Sequence, residues 1–194
     1  MLVYFAISKK KCNFVSKDIK MAVLDFEIDK LTNSIESVSS GESLATEIVK
    51  ISDKSEFVNI TRKNGWQFDW EKEFDITKNV HKLVVLQNSV IQGFMSFAYD
   101  DDFLYMNLIE TAPHNFGKEK QYRGVAGNLV AFLCMKSFEK GFDGFVCFDA
   151  KTQLIEHYEK TLGAFLISSQ RMAIATNAAK NLVVRYFPNY KFNK

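Results

Sequence analysis

From residue 80 onward the apolar positions fall into short, cleanly bounded runs. His81–Leu86 reads as a strand, Asn88-Ser89 as a turn, and Val90–Ala98 as the partner strand, with Gly93 marking a close backbone approach or a bulge. Asp100-Asp101-Asp102 is a polar turn before a third strand, Phe103–Thr111. Leu104, Met106 and Leu108 alternate there with Tyr105, Asn107 and Ile109, so both faces are largely apolar, as in a central strand. Ala112–Tyr122 reads as a loop. Then the period changes from two to 3.6: Ala126, Leu129, Val130 and Leu133 line one face of a helix from Val125 to Lys140, and Gly141 ends it. Gly144–Phe148 is a short apolar strand, parallel to the third strand because a helix crosses between them. Thr152–Leu162 is a second helix with Thr152 as N-cap. Ala164–Ile167 and Met172–Ala175 are strands around Ser168-Ser169-Gln170, and a last helix or strand covers Ala178–Phe187.

The first 80 residues are less regular. Met21–Ile28 reads as a strand, and Ser43–Ile51 has helical spacing at Leu44, Ile48 and Ile51. Asn64-Gly65 is a tight-turn signal between Phe57–Ile60 and Trp66–Trp70, which predicts a hairpin or at least a sharp reversal. Trp66, Phe68 and Trp70 alternate, either as one apolar face of a strand or as an aromatic wall for a substrate. The element order predicts a single domain of α/β (mixed α+β) class, a mixed sheet with helices packed on it.

Composition changes this picture little. The chain has 194 residues and 47% apolar positions, enough to bury one core. A formal charge of +2 does not point to nucleic acid. After Glu159 the charges are all basic, at Lys160, Arg171, Lys180, Arg185, Lys191 and Lys194, which reads as a solvated tail or as a patch for an anionic cofactor or RNA. Cys12, Cys134 and Cys147 are odd in number and fit no metal spacing, so no metal is expected and a reducing cytoplasm is the expected setting. No apolar run reaches the roughly 18 residues of a membrane span. In MLVYFAISKKK the charges follow the apolar run, the reverse of a signal peptide.

The candidate chemistry starts at Gln121-Tyr122-Arg123-Gly124-Val125-Ala126-Gly127-Asn128-Leu129, where small residues sit at the entry to a helix. Backbone N–H groups with little side-chain cover, aimed by a helix N-terminus, make an anion pocket. No Gly-Lys-Ser/Thr follows, so the stretch is no P-loop, and the glycines lie too late for a dinucleotide fold. Gln121-x-x-Gly124-x-Ala126 instead resembles the Q/R-x-x-G-x-G/A motif of the GNAT N-acetyltransferase superfamily. His157-Tyr158-Glu159-Lys160-Thr161-Leu162-Gly163-Ala164-Phe165 looks like that family's Y-E-K-x-G-F signature, with one residue inserted and Ala164 before the phenylalanine. The resemblance covers residues 82–187, leaving residues 1–80 as a divergent part that shapes the acceptor site.

The resemblance implies transfer of an acetyl group from acetyl-CoA, as co-substrate, to a small-molecule or protein amine by direct attack in a ternary complex. By it, Gln121–Leu129 hold the pyrophosphate. Backbone groups of Leu108, Ile109 and Glu110 bond the pantetheine and polarise the acetyl carbonyl. Tyr158 protonates the leaving thiolate, a phenol of pKa near ~10 suiting that task. Glu110, ending the strand before the motif, stands where a general base is often found. Lys151 replaces an asparagine common seven residues before the tyrosine, and reaches a CoA phosphate or merely starts a helix. His114 and Asn115 lie near enough to line the acceptor site, whereas His157 points off the apolar stripe to the surface and His81 has no partner in view. The acids Asp69, Glu71, Glu73 and Asp75 either attract a cationic amine or form a solvated loop. A toxin-like aminoacyl-tRNA acetyltransferase and a non-catalytic CoA-binding module are the alternatives. Hydrophobic edge strands make a homodimer plausible.

Overall fold

The computed structural model of the chain describes residue 23, residues 26–86 and residues 88–192. Its main sheet has seven strands in the order β3-β4-β5-β6-β8-β10-β9, namely β3 (Thr46–Lys50), β4 (Val80–Val85), β5 (Ile91–Tyr99), β6 (Leu104–Thr111), β8 (Val146–Asp149), β10 (Arg171–Ile174) and β9 (Phe165–Ser168). All neighbours are antiparallel except β6 and β8, which run parallel as the crossover requires. A second small sheet, β2-β1-β7, joins β2 (Ser43–Leu44) and β1 (Ile35–Ser37) to β7 (Tyr122–Arg123).

Helices α1 (Trp70–Thr77), α2 (Val125–Glu139), α3 (Ile155–Leu162) and α4 (Thr176–Tyr186) complete the fold. The largest core lies between the sheet and α2, α3 and α4, where Leu104, Met106, Leu129, Leu133, Val146, Tyr158 and Val183 meet. α2 is apolar almost all round because it is buried on two sides, under the sheet and under α4. A second core beneath α1 gathers Ile51, Phe57, Trp66, Trp70, Val80 and Leu108 around Phe94 of β5.

One irregularity matters for the site. Along β5 and β6 the pairing runs Phe97 with Met106 and then Ser96 with Leu108, so Asn107 is an extra residue on β6. Such a bulge bends a strand and reverses which face later side chains take. Leu104 and Met106 face the large core before it, and Ile109 does so after it, while Leu108 and Glu110 turn toward the core under α1. The pairing of β6 with β8 covers only Leu104 with Val146 and Tyr105 with Cys147. Past the bulge the two strands part, and the sheet opens as a wedge.

Several expectations change. Ser43–Ile51 is two strands, β2 and β3, rather than a helix. The β-branched Thr46, Ile48 and Val49 lie in register with Val85, Leu83 and Lys82 of β4, and that pairing outweighs the helical spacing. Around Asn64-Gly65 the chain reverses through short 3-10 turns, with Gly65 at φ 92°, but no hairpin ladder forms. Trp66 and Trp70 both pack at 5.1 Å from the Phe94 ring, so they are core residues. Asp69 caps α1, accepting from the Lys72 N–H, and Glu71, Glu73 and Asp75, read as an attraction for a cationic amine or as a solvated loop, lie on that helix. Thr152 begins a 3-10 turn and is not the cap of α3, which starts at Ile155. The last element is a helix. Half of the strand expected over Met21–Ile28 lies outside the described residues, and Phe26–Ile28 is not strand.

Candidate active site in the wedge between two parallel strands

Past Tyr105 the edge of β6 from Met106 to Thr111 is no longer paired with β8, and α2 is the crossover helix between the two strands. Gly124 precedes α2 with φ 80° and offers the helix no capping side chain. A Cβ on Gly124 would stand 2.1 Å from the Thr32 hydroxyl, and one on Gly127 would stand 2.2 Å from the Tyr186 hydroxyl. Both glycines therefore admit close neighbours that no other residue would allow. The Gly124 N–H donates to the Asp29 carboxylate at 3.0 Å, so an anion already sits at this helix end.

The rest of the expected anion loop is more restricted. Tyr122 and Arg123 form β7, paired with Ser37 and Glu36. The Gln121 carbonyl accepts from the Val38 N–H, and the Gln121 N–H donates to the His114 carbonyl. Asn128 and Leu129 are fully buried within α2, and the Asn128 N–H is taken by the Gly124 carbonyl. Only the turn from Gly124 to Gly127, with Val125 and Ala126 between, keeps the geometry of an anion cradle.

Tyr158 projects from α3 into the core and is completely buried. Its ring stands edge-on to Phe148 of β8 at 5.4 Å, and its hydroxyl donates to the Phe26 carbonyl at 2.6 Å. Leu108 packs in the core under α1 and Ile109 in the larger core, and Lys151 lies half-buried just before the turn into α3.

Glu110 sits on the other face of β6. One carboxylate oxygen accepts from the Gln67 N–H at 2.6 Å, and the other accepts from Trp70 Nε1–H at 2.6 Å and from the Phe68 N–H at 3.4 Å. Burial pushes its carboxyl above the ordinary range, and these bonds partly oppose the shift. Three of about four lone-pair directions are used. A cavity of about 150 Å³ opens beside it, lined by Phe26, Phe68, Ile109, Pro113 and Phe116. A larger one of about 470 Å³ lies across the strand end, between Phe26, Asp29, Thr111, Tyr122, Val125 and Leu154.

No protein-family model and no curated protein matches the chain. Solved structures do. The ribosomal-protein-S18-alanine N-acetyltransferase from Escherichia coli is similar with a TM-score of 0.50 at 16% identity, over 67% of this chain and 94% of that one. A GNAT-family acetyltransferase from Staphylococcus aureus Mu50 gives a TM-score of 0.43 at 12% identity, over 68% and 99%. A Bacillus subtilis acetyltransferase in complex with CoA gives 0.43 at 12%, over 69% and 99%.

The chain has the GNAT N-acetyltransferase fold. Within the GNAT fold the sheet order, the bulged β6 and the single parallel pair explain why a cleft lies between β6 and β8.

The residues present fit a CoA pyrophosphate at Gly124. A Cβ is excluded there, the helix end is uncapped by its own residue, and the Asp29 carboxylate stands where an anionic oxygen would. Among the described residues no group of His, Cys, Asp or Glu is arranged to hold a metal.

Three histidines take roles that differ from a solvent face. His114 Nε2 lies 3.0 Å from Gln92 Oε1, an oxygen that also accepts from Asn115 Nδ2, so Nε2 carries the ring proton. Burial lowers its pKa and keeps the ring neutral. Asn115 bonds the Gln92 carbonyl and accepts from the Tyr122 N–H. His114 and Asn115 thus fasten the loop to β5. His157, expected at the surface, is half-buried and accepts from the Ile28 N–H at 2.8 Å. His81 is buried and stacks on Phe97, and burial with the nearby Lys50 and Lys136 lowers its pKa to about 4.

Gln92 escaped notice in the sequence. Its signal was a polar residue at the centre of an otherwise apolar strand run, Ile91-Gln92-Gly93-Phe94. The Gly93 beside it permits close approach, since a Cβ would lie 2.7 Å from the Glu110 carbonyl. The acidic group on α1 is occupied. Asp75 pairs with Lys54 and Lys78, Glu71 lies 3.6 Å from Lys54, and Glu73 accepts from Ser96 Oγ at 2.5 Å. The basic tail is partly paired as well, with Arg171 on Asp149, Lys160 on Glu156, and Arg185 on the Leu31 carbonyl.

Proposed function

We propose that the chain is an acetyl-CoA-dependent N-acetyltransferase acting on a primary amine. The observation that supports the reading is the GNAT fold together with two groups bonded to one segment, the uncapped Gly124 turn to Asp29 and the Tyr158 hydroxyl to the Phe26 carbonyl. A pyrophosphate at the Gly124–Gly127 turn and a pantetheine along Leu108–Ile109 would bring the thioester toward Tyr158. The amine nitrogen attacks the thioester carbonyl, the N–C bond forms and the C–S bond breaks. The proton of the Tyr158 hydroxyl passes to the departing sulfur, and the amine gives its proton to Glu110 or to a water it holds. Backbone N–H groups of β6 act on the carbonyl oxygen as its charge grows. On this reading Lys151 would reach a CoA phosphate. Phe26, Phe68 and Phe116 around the Glu110 cavity favour an acceptor amine with an apolar neighbour.

Binding without turnover is a second reading. It is favoured by the three donors that hold Glu110, which leave it little capacity for a proton in flight.

Thermal unfolding with and without acetyl-CoA tests the cofactor assignment. At 100 times Kd a single site adds about 2.7 kcal/mol, which raises Tm by roughly 5–10 °C for a chain of this size. No shift at millimolar acetyl-CoA would sink it. A shift followed by acetylation of any amine in a screen supports catalysis over simple binding.

A further inference from the structure

Residues 26–34 belong to neither sheet, yet they are tied to α3, to the N-terminus of α2 and to α4. The Phe26 carbonyl accepts from the Tyr158 hydroxyl at 2.6 Å, and the Phe26 ring packs on the Tyr158 ring at 5.6 Å. The Ile28 N–H donates to His157 of α3. Asp29 takes the Gly124 N–H with one oxygen and pairs with Lys120 at 2.9 Å through the other. The Thr32 N–H donates to the Tyr186 hydroxyl of α4 at 3.1 Å. Ile28 and Thr32 are each only 3% exposed.

This segment engages the groups that an acyl-CoA would need. A carbonyl oxygen lies at the proton donor, and an anionic oxygen lies at the glycine turn. Phe26 and Asp29 are three residues apart, so the two marks are separated by up to about 10 Å of extended chain. A pantetheine arm has to span a gap of the same order. Accepting acyl-CoA as the ligand of this cleft, we propose that residues 26–34 are an internal competitor for it: a strap that occupies the Gly124 and Tyr158 hydrogen-bonding groups and must lift before the cofactor binds. The two glycines then have a double use. They give the strap room at Thr32 and Leu31, and they give the cofactor room once the strap has moved.

A strap that closes most molecules lowers the apparent affinity by the fraction left open. Loosening it should raise that affinity. Asp29→Ala removes its anionic anchor at the Gly124 N–H and leaves every residue assigned to the cofactor or the reaction unsubstituted. The test is acetyl-CoA binding by calorimetry to the full-length chain and to this variant, with residue-resolved amide exchange of the unmodified chain as a second readout. The expected result is about tenfold tighter binding in Asp29→Ala, the loss of one charge-assisted bond. In the unmodified chain, acetyl-CoA should make the Ile28 and Thr32 amides exchange faster while Gly124 stays protected. Equal affinities, with Ile28 and Thr32 as protected in the complex as before, would show a fixed wall and overturn the strap while leaving the cleft assignment intact. No binding to either protein would overturn the cleft assignment itself, and the strap's role with it.

Discussion

Glu110 holds three N–H groups on two oxygens, and those groups come from the segment Gln67–Trp70. Glu110→Ala strands the Gln67 and Phe68 amides and the Trp70 indole against a buried wall. Unfolding in denaturant should show a loss of about 2–4 kcal/mol. The carboxyl also sets a pH dependence, together with Glu73. Burial raises both above their ordinary value of 4.5, with hydrogen bonds opposing. The folded chain keeps these protons at pH values where the unfolded chain has lost them. Their contribution to stability is therefore full below about pH 4.5 and declines as pH rises through the folded values. A Glu73→Gln, Glu110→Gln double variant should lose this decline just above pH 4.5. A stability profile of unchanged slope would mean that neither carboxyl is shifted.

At the scale of elements, α2 and α4 meet where Gly127 faces the Tyr186 hydroxyl. Alanine is the better helix former by about 1 kcal/mol, so on propensity alone Gly127→Ala would stabilise. The contact at 2.2 Å decides otherwise. Overpacking of this kind costs about 1–3 kcal/mol, and thermal unfolding should show a net loss. Tyr186→Phe removes the clashing oxygen, so the double variant should lose less than the two single losses added together. This pair also shows where sequence reading stops. The second half of the chain was legible because its periods were clean: β4 to β6, α2, β8, α3 and the β9–β10 hairpin lie within a few residues of expectation. The glycines were legible as a backbone requirement, but not as room for Leu31, Thr32 and Tyr186, because those contacts join residues about 60 to 95 positions apart in the chain. Ser43–Ile51 failed for a similar reason. Its spacing suits a helix, and only the edge of β4 makes it a strand. The bulge at Asn107 had no local signal, since it is a property of two strands in register.

Across the described molecule, residues 26–34 pack over groups that the later residues supply. Tyr158 lies at that junction, and its single hydroxyl serves two proposals that pull an assay in opposite directions. As proton donor it is needed for turnover, so Tyr158→Phe should lower kcat by about 10²-fold. As the partner of the Phe26 carbonyl it holds the strap down. Its loss should therefore leave acetyl-CoA binding as tight as before or tighter, and the KM for acetyl-CoA should not rise. Phenylalanine keeps the ring on Phe148 and Phe26, so Tm without ligand should fall by only a few degrees. Steady-state kinetics and thermal shift on one preparation separate the roles. A kcat loss with preserved affinity assigns the hydroxyl to the reaction. An unchanged kcat would remove Tyr158 from the chemistry. A joint collapse of stability, affinity and rate would mark it as a core residue whose hydroxyl matters only to packing.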